Sequence, residues 1–341
     1  SDLYLSLDAV LQEYGETLMK NKRGGIVAIE PSTGEILASV SSPAYDPNLL
    51  VGHERGNNYM KLLYDKDNNP LFNRAIMTRY PPGSTFKIVS GIAALEEGII
   101  TENTAFGCGG GYSLGSHTIK CHAHASPTDL IGATTYSCNT YFCHVFKNFI
   151  DNRKFASSQD GYERWRTYII SLGFGVKLGT DFPNELSGFV PTVEFYNDRL
   201  RRSNWKANNI MSIAIGQGEI GVTPLQLANF TAIIANRGWY IPPHIVKAIN
   251  NIHFLNSKYQ TKVQTMLSKH TCDIFANAMR EVVTSGTARN AEVVGFEVCG
   301  KTGTAQDPPR RNHSVFIAFA PKDNPKIAIA ALIENSGYGA T

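Results

Sequence analysis

The segments of this chain that read as β-strand lie at its two ends. Near the N-terminus, Ile26-Val27-Ala28-Ile29 and Glu35-Ile36-Leu37-Ala38-Ser39-Val40 flank the turn Pro31-Ser32-Thr33-Gly34, which is a hairpin signal. Near the C-terminus, residues 292–298, 300–306, 314–320 and 326–334 carry the same alternation. Roughly 80–250 reads as mostly helical. The expected architecture is therefore an α/β (α+β) fold. Its antiparallel sheet of about five strands draws on both termini, is flanked by helices, and has an all-helical subdomain inserted. The sheet part is expected to span about 1–79 plus 251–341, and the helical part about 80–250.

Several helices are expected on periodicity. Residues 6–20 place Leu7, Leu11, Tyr14 and Leu18 at intervals of three or four. Residues 41–73, rich in Pro, Asn, Gly and Asp, read as a long surface excursion. Tyr80-Pro81-Pro82-Gly83 breaks the chain before a helix over 84–95, with Ile88, Val89, Ile92 and Leu95 inward and Gly98 as its stop. Residues 104–127 read as loop. Further helices are expected near 129–150, 160–172, 223–237 and 271–284, with Thr223-Pro224 supplying an N-cap and a first-turn proline. With 341 residues, 43% of them hydrophobic, the chain can bury a large core. A net charge of +3, with no basic stripe interleaved with aromatics, gives no case for nucleic-acid binding. No run of about 18 apolar residues is present.

Three strings carry chemistry: Ser84-Thr85-Phe86-Lys87, Ser137-Cys138-Asn139 and Lys301-Thr302-Gly303-Thr304. In order and widely spaced, they describe a serine nucleophile, a proton relay and a carboxylate-binding strand edge. Residues three apart on a helix share a face, so Ser84 and Lys87 lie side by side. Lys87 must be neutral to act as a base; burial or a neighbouring cation such as Lys301 would favour that state. Ser137 can hand a proton to a leaving amine, and Asn139 can orient Lys87 and hold a substrate carbonyl. Gly303 allows close approach of a ligand backbone. Lys301, Thr302 and Thr304 can bind a carboxylate. The N–H groups of Ser84 and Thr304 would form an oxyanion hole. Taken singly, each string also has a bland reading, as a helix surface, a capping turn and a strand end.

Together with Gly25–Pro43, Asn73-Arg74-Ala75, Gly216-Gln217-Gly218, Thr223-Pro224-Leu225-Gln226, Ser285-Gly286-Thr287-Ala288 and His313-Ser314-Val315-Phe316, these strings make nearly the whole chain resemble the transpeptidase domain of class B penicillin-binding proteins. Gly216-Gln217-Gly218 looks more like the cell-elongation type (penicillin-binding protein 2) than the septal type. The resemblance implies the penicillin-binding/serine β-lactamase-like fold. It also implies D,D-transpeptidation of peptidoglycan stem peptides through an acyl-Ser84, and acylation by β-lactams. No cofactor is required for that chemistry. Implied partners are membrane proteins of the elongation machinery, including a glycosyltransferase. The implied location is the periplasmic face of the inner membrane, with an N-terminal anchor and a pedestal domain not found in this sequence, which reads as an excised catalytic domain. A serine β-lactamase or penicillin-sensing domain shares the three strings and is the alternative.

Six cysteines remain to be placed: Cys108, Cys121, Cys138, Cys143, Cys272 and Cys299. Cys121-x-x-His124 has ligand-like spacing. The resemblance implies a structural zinc held by Cys108, Cys121, His124 and Cys138, with His122 able to replace His124. A Cys108–Cys121 disulfide stapling the Gly-rich loop is the alternative, and free buried thiols are a third option, for Cys143, Cys272 and Cys299.

Overall fold

The computed structural model describes residues 2–250 and 256–339; the part boundary expected at 251 lies outside them. The N-terminal hairpin forms as β1 (Gly24–Ile29) and β2 (Ile36–Ser42), and Gly34 supplies its left-handed turn residue at φ +76°. Three C-terminal strands, β3 (Cys299–Ala305), β4 (His313–Ala320) and β5 (Ile327–Ile333), complete a five-stranded sheet. The order is β2-β1-β5-β4-β3, antiparallel throughout. The two ends of the chain are joined where Ala328 pairs with Ile29 and Ile333 with Gly24.

Helix α1 (Ala9–Leu18) begins at Asp8, whose carboxylate accepts from the N–H groups of Val10 and Leu11. Its buried line is Gly15 and, just past its end, Met19, not the expected stripe. Tyr14 and Leu18 are exposed. The reason is steric, because a Cβ on Gly15 would lie 2.8 Å from Val40 Cγ2, so the glycine face is the one that can lie against β2.

Helix α2 (Phe86–Glu96) runs through the middle of the molecule, and every residue from Phe86 to Ala94 is buried. It is thus not one-sided, as its periodicity predicts, but enclosed. Around it pack α3 (Asn139–Ile150), α4 (Ser158–Ser171) and α6 (Lys269–Thr284), and α5 (Pro224–Ala235) lies against α6. Trp165 of α4 meets Phe86 and Phe146 edge-on, with centroids 6.0 and 5.4 Å away. Each such ring buries on the order of 150–250 Å², contributing roughly 4–6 kcal/mol as an upper figure. Helix α5 also lies across the sheet, so one helix belongs to both layers. Its predicted cap forms: Thr223 Oγ1 accepts from Gln226 N, and Gln226 Oε1 accepts from Thr223 N.

Four local expectations change. Residues 292–298 form no strand; Val293 and Phe296 make an isolated bridge, and Val294 is almost fully exposed. β-Propensity without a partner strand does not make a strand. The loop over 104–127 contains a hairpin, Gly111–Leu114 with His117–Lys120. The helix expected over 129–150 is two helices, Leu130–Thr135 and α3, broken at Ser137, which takes φ +57°. The surface excursion at 41–73 also carries a helix, Arg55–Tyr64, none of whose residues is buried.

Candidate active site

Three chain segments meet at the serine. Pro82 leads into the tight turn Gly83–Thr85, which feeds α2. Gly83 has φ +58°, and a Cβ there would sit 2.6 Å from Thr304 O. On the facing strand, a Cβ at Gly303 would sit 3.0 Å from Pro82 O and from Thr85 Cγ2. The glycine expected to admit a ligand backbone therefore admits the serine turn itself. Gly216 completes the contact. Its carbonyl accepts from Gly83 N at 2.9 Å, and a Cβ there would meet Gly83 O at 2.1 Å. The three glycines let backbone pack on backbone, and Ser84 is pressed against the end of β3.

One helical turn on, Lys87 is buried. Its Nζ donates to Ser137 O at 2.7 Å and to Ser137 Oγ at 3.0 Å. The left-handed conformation of Ser137 turns both acceptors toward the lysine. Burial pushes the Lys87 ammonium down to about 8, while nearby thiols of Cys121, Cys138 and Cys143 oppose the shift. Burial also drives Lys301 well below its ordinary value, with the charge of Lys87 adding to it. Burial, more than a neighbouring cation, is therefore what favours a neutral amine at position 87.

Ser84, Lys87, Ser137, Asn139, Thr302, Gly303 and Thr304 all line one cavity of about 340 Å³. Lys301 does not line it. It lies on the opposite face of β3 from Thr302 and Thr304, fully buried, with Nζ donating to Thr302 O at 3.1 Å. Asn139 does not touch Lys87; its Nδ2 donates to Lys120 O at 2.6 Å and so anchors the hairpin arm. A larger groove of about 650 Å³ beside α1, lined by Glu13, Lys20 and Arg23 among others, contains none of the three strings.

Sequence reasoning missed several lining residues. Thr287 Oγ1 lies 2.8 Å from Thr302 Oγ1 and fixes that hydroxyl. Gln217 Nε2 donates to Thr304 O at 3.0 Å. Lys120 and His122 stand on the rim. Gln217 and Thr287 sit in strings that carry the family resemblance, and His122 in the Cys/His stretch, but nothing local points them to this cavity; Lys120 has no local signature. Among the described residues lining the cavity none carries a carboxylate.

A second cluster abuts the site. The ligand atoms of Cys108, Cys121, His124 and Cys138 all lie within 4.8 Å of one another. Cys121 Sγ is 3.8 Å from Cys138 Sγ and 3.4 Å from His124 Nε2. His124 Nδ1 is 2.7 Å from Ala125 O, which favours the tautomer that leaves Nε2 as an acceptor. The contact between the two sulfurs pulls the Cys121 thiol well below its ordinary value and pushes that of Cys138 up. All six cysteines are free, so the alternative Cys108–Cys121 disulfide is not formed. His122 stands outside the cluster, on the cavity rim.

The Penicillin binding protein transpeptidase domain family matches residues 24–341. The peptidoglycan D,D-transpeptidase MrdA of Acinetobacter baumannii is 36% identical over 99% of this chain and 52% of its own length. That of Escherichia coli K12 is 31% identical over 99% of the chain and 55% of its own length. The chain thus spans about half the length of these curated relatives. Among solved structures, Pseudomonas aeruginosa PBP2 in complex with WCK 5153 superposes with a TM-score of 0.86 at 34% identity, covering 99% of this chain and 75% of that one. Helicobacter pylori PBP2 in complex with MreC gives a TM-score of 0.84 at 32% identity, over 99% and 61%.

Proposed function

This chain belongs to the penicillin-binding protein transpeptidase domain family, and from that premise we propose that it is a peptidoglycan D,D-transpeptidase of the elongation type. The observation that carries the reading is the shared cavity. A serine at the start of a buried helix, a lysine with lowered proton affinity and a glycine-bearing strand edge face one another across it.

Ser84 Oγ attacks the carbonyl of the penultimate D-Ala of a stem peptide and gives its proton to Lys87. The oxyanion forms between the N–H groups of Ser84 and Thr304. The hydroxyls of Thr302 and Thr304 hold the terminal carboxylate, with Lys301 buried behind the strand. Ser137 passes the proton from Lys87 to the leaving D-Ala amine as the C–N bond breaks. An amine from a second stem then attacks the acyl carbon and releases Ser84. β-Lactams would stop at the acyl-enzyme. The lack of a lining carboxylate to activate water disfavours the β-lactamase reading.

The cysteine cluster fits a structural zinc. A tetrahedral ion with Zn–S of about 2.3 Å separates two sulfurs by about 3.8 Å, which is the Cys121–Cys138 spacing. Cys108, Cys121, His124 and Cys138 would hold it, tying the hairpin arm to the Ser137–Asn139 segment. No step of the acyl transfer passes through it.

The elongation reading places this domain with membrane-bound synthesis partners, including a glycosyltransferase, on the periplasmic face of the inner membrane. One structural relative is solved with MreC and another is described as coordinating polymerization and crosslinking in a peptidoglycan synthase complex. Among the described residues no helix is long and apolar enough to cross a membrane. The fold is read as a single catalytic unit over 1–341, with sheet and helical parts.

The direct test is mass spectrometry after incubation with benzylpenicillin. The adduct is expected on the peptide containing Ser84 and absent from Ser84→Ala. A Ser84→Ala protein that still labels stoichiometrically would overturn the assignment.

A further inference from the structure

β3 is an edge strand, and its free edge is the wall of the cavity. In an antiparallel ladder, each residue points both its N–H and its C=O to the same side, and neighbours alternate. Thr304 shows which side it uses. Its C=O receives Gln217 Nε2 at 3.0 Å from outside the sheet, so its N–H also faces outward, toward Ser84. The carboxamide continues along the edge, since Gln217 Oε1 accepts from Gln306 N at 3.4 Å. One side chain thus occupies two successive outward groups of the strand, as a peptide group of an added strand would. The opposite edge of the sheet is treated in the same way. Gln12 Oε1 accepts from Ser39 N at 2.8 Å, and Gln12 Nε2 donates to Ser39 O at 3.2 Å. Side-chain carboxamides therefore stand in for strand partners at both edges.

At β3 the stand-in has a consequence. A ligand whose carbonyl carbon is attacked by Ser84 puts its carbonyl oxygen at the Ser84 and Thr304 N–H groups. Its next amide N–H, on the acyl side, then faces Thr304 O from the cavity, the side from which Gln217 already donates to it. Gln217 is held in place from behind, because Gly216 is locked to Gly83. We infer that Gln217 is a specificity-determining residue: it occupies the Thr304 carbonyl in the empty site and must yield to an acyl-chain amide N–H, but not to ligands that lack one. This rests on the proposed acyl-serine chemistry.

The experiment compares acylation of the protein by two probes. Benzylpenicillin carries an acylamino N–H; a carbapenem with a hydroxyethyl group in its place does not. In wild type, both probes are expected to label Ser84. Exchanging one neutral hydrogen bond is worth a few-fold. Gln217→Ala and Gln217→Glu, which both lose the donor, should therefore raise the benzylpenicillin-to-carbapenem ratio of acylation rate constants by about three- to ten-fold. A residue that merely holds the loop would slow both probes in parallel and leave the ratio unchanged, which would overturn the inference. Crystal structures of the two wild-type acyl-enzymes give a check that needs no variant. Gln217 should have left Thr304 O in the penicillin adduct and kept it in the carbapenem adduct. Retention in both would refute the inference while leaving the function intact. If neither probe labels Ser84, the function itself fails.

Discussion

Lys87 Nζ donates to both the carbonyl and the hydroxyl of Ser137, at 2.7 and 3.0 Å. A neutral amine has two N–H groups and one lone pair. If Ser137 takes both protons, the lone pair is left to point at the remaining neighbour on the helix face, Ser84. The same contact that orients the base also gives its proton a way to the leaving group.

The first prediction is a pH profile. Burial lowers Lys87 to about 8 from 10.5, and the base acts only when neutral. Acylation by benzylpenicillin should rise about ten-fold per pH unit below 8 and level off above it. The stability sign follows from the same shift. Between pH 8 and 10.5 the unfolded chain binds more protons than the folded one, so stability rises with pH through that window, by about 3 kcal/mol in all. Lys87→Ala should lose acylation and keep its fold; a loss of secondary structure by circular dichroism would make the residue structural instead.

The second concerns the glycines. Gly303→Ala puts a Cβ 3.0 Å from the Pro82 carbonyl, so the serine turn must move away from β3. A shift of a few tenths of an ångström should cost acylation on the order of ten-fold or more with the fold retained. Gly216→Ala is harsher, since its Cβ would meet Gly83 O at 2.1 Å in a left-handed backbone. That variant is expected to unfold at lower urea. Wild-type acylation rates in Gly303→Ala would argue against the tight contact.

Metal content provides the third. Protein purified without chelator should carry about one zinc per chain, and Cys121→Ser should lose it. Stripping the metal should lower the unfolding temperature and expose the three cluster thiols, Cys108, Cys121 and Cys138, to a thiol reagent, because the hairpin arm then loses its tie to the Ser137–Asn139 segment through the metal. Metal-free protein with unchanged melting would remove the structural role.

A fourth lies just past the end of β5, at the end of the sheet that carries Thr304. Glu334 accepts from the Tyr80 hydroxyl at 2.5 Å and pairs with the buried Arg74 at 3.5 Å. Glu334→Ala leaves a guanidinium whose side chain is 3% exposed with only the carbonyls of Asn68, Asn69 and Phe72 as acceptors, at a cost of about 2–3 kcal/mol. Glu334→Gln keeps an acceptor for Tyr80 and should cost less. Equal urea midpoints for the two variants would show that the acceptor for Tyr80 contributes nothing and the whole loss belongs to the charge.

Much of this protein is legible in one dimension. The hairpin, the C-terminal strands 300–306, 314–320 and 326–334, the Thr223 cap and the Pro-Pro-Gly break before Ser84 are set by alternation, turn residues and capping within a few positions. The three strings are also local, so a reader can find them without coordinates. Where local propensity misleads, at 292–298, the missing ingredient is a partner strand. Tertiary structure alone decides the rest. It encloses α2 on all sides, which is what moves Lys87 toward neutrality, and it puts Lys301 behind the strand, not in the cavity. It spends the freedom of Gly303 on the serine turn, and it sends Gln217 to the edge beside Thr304. The reason is physical: burial, proton affinity and hydrogen-bond partnership depend on which distant segments arrive at the same place, and no window of neighbouring residues contains that information.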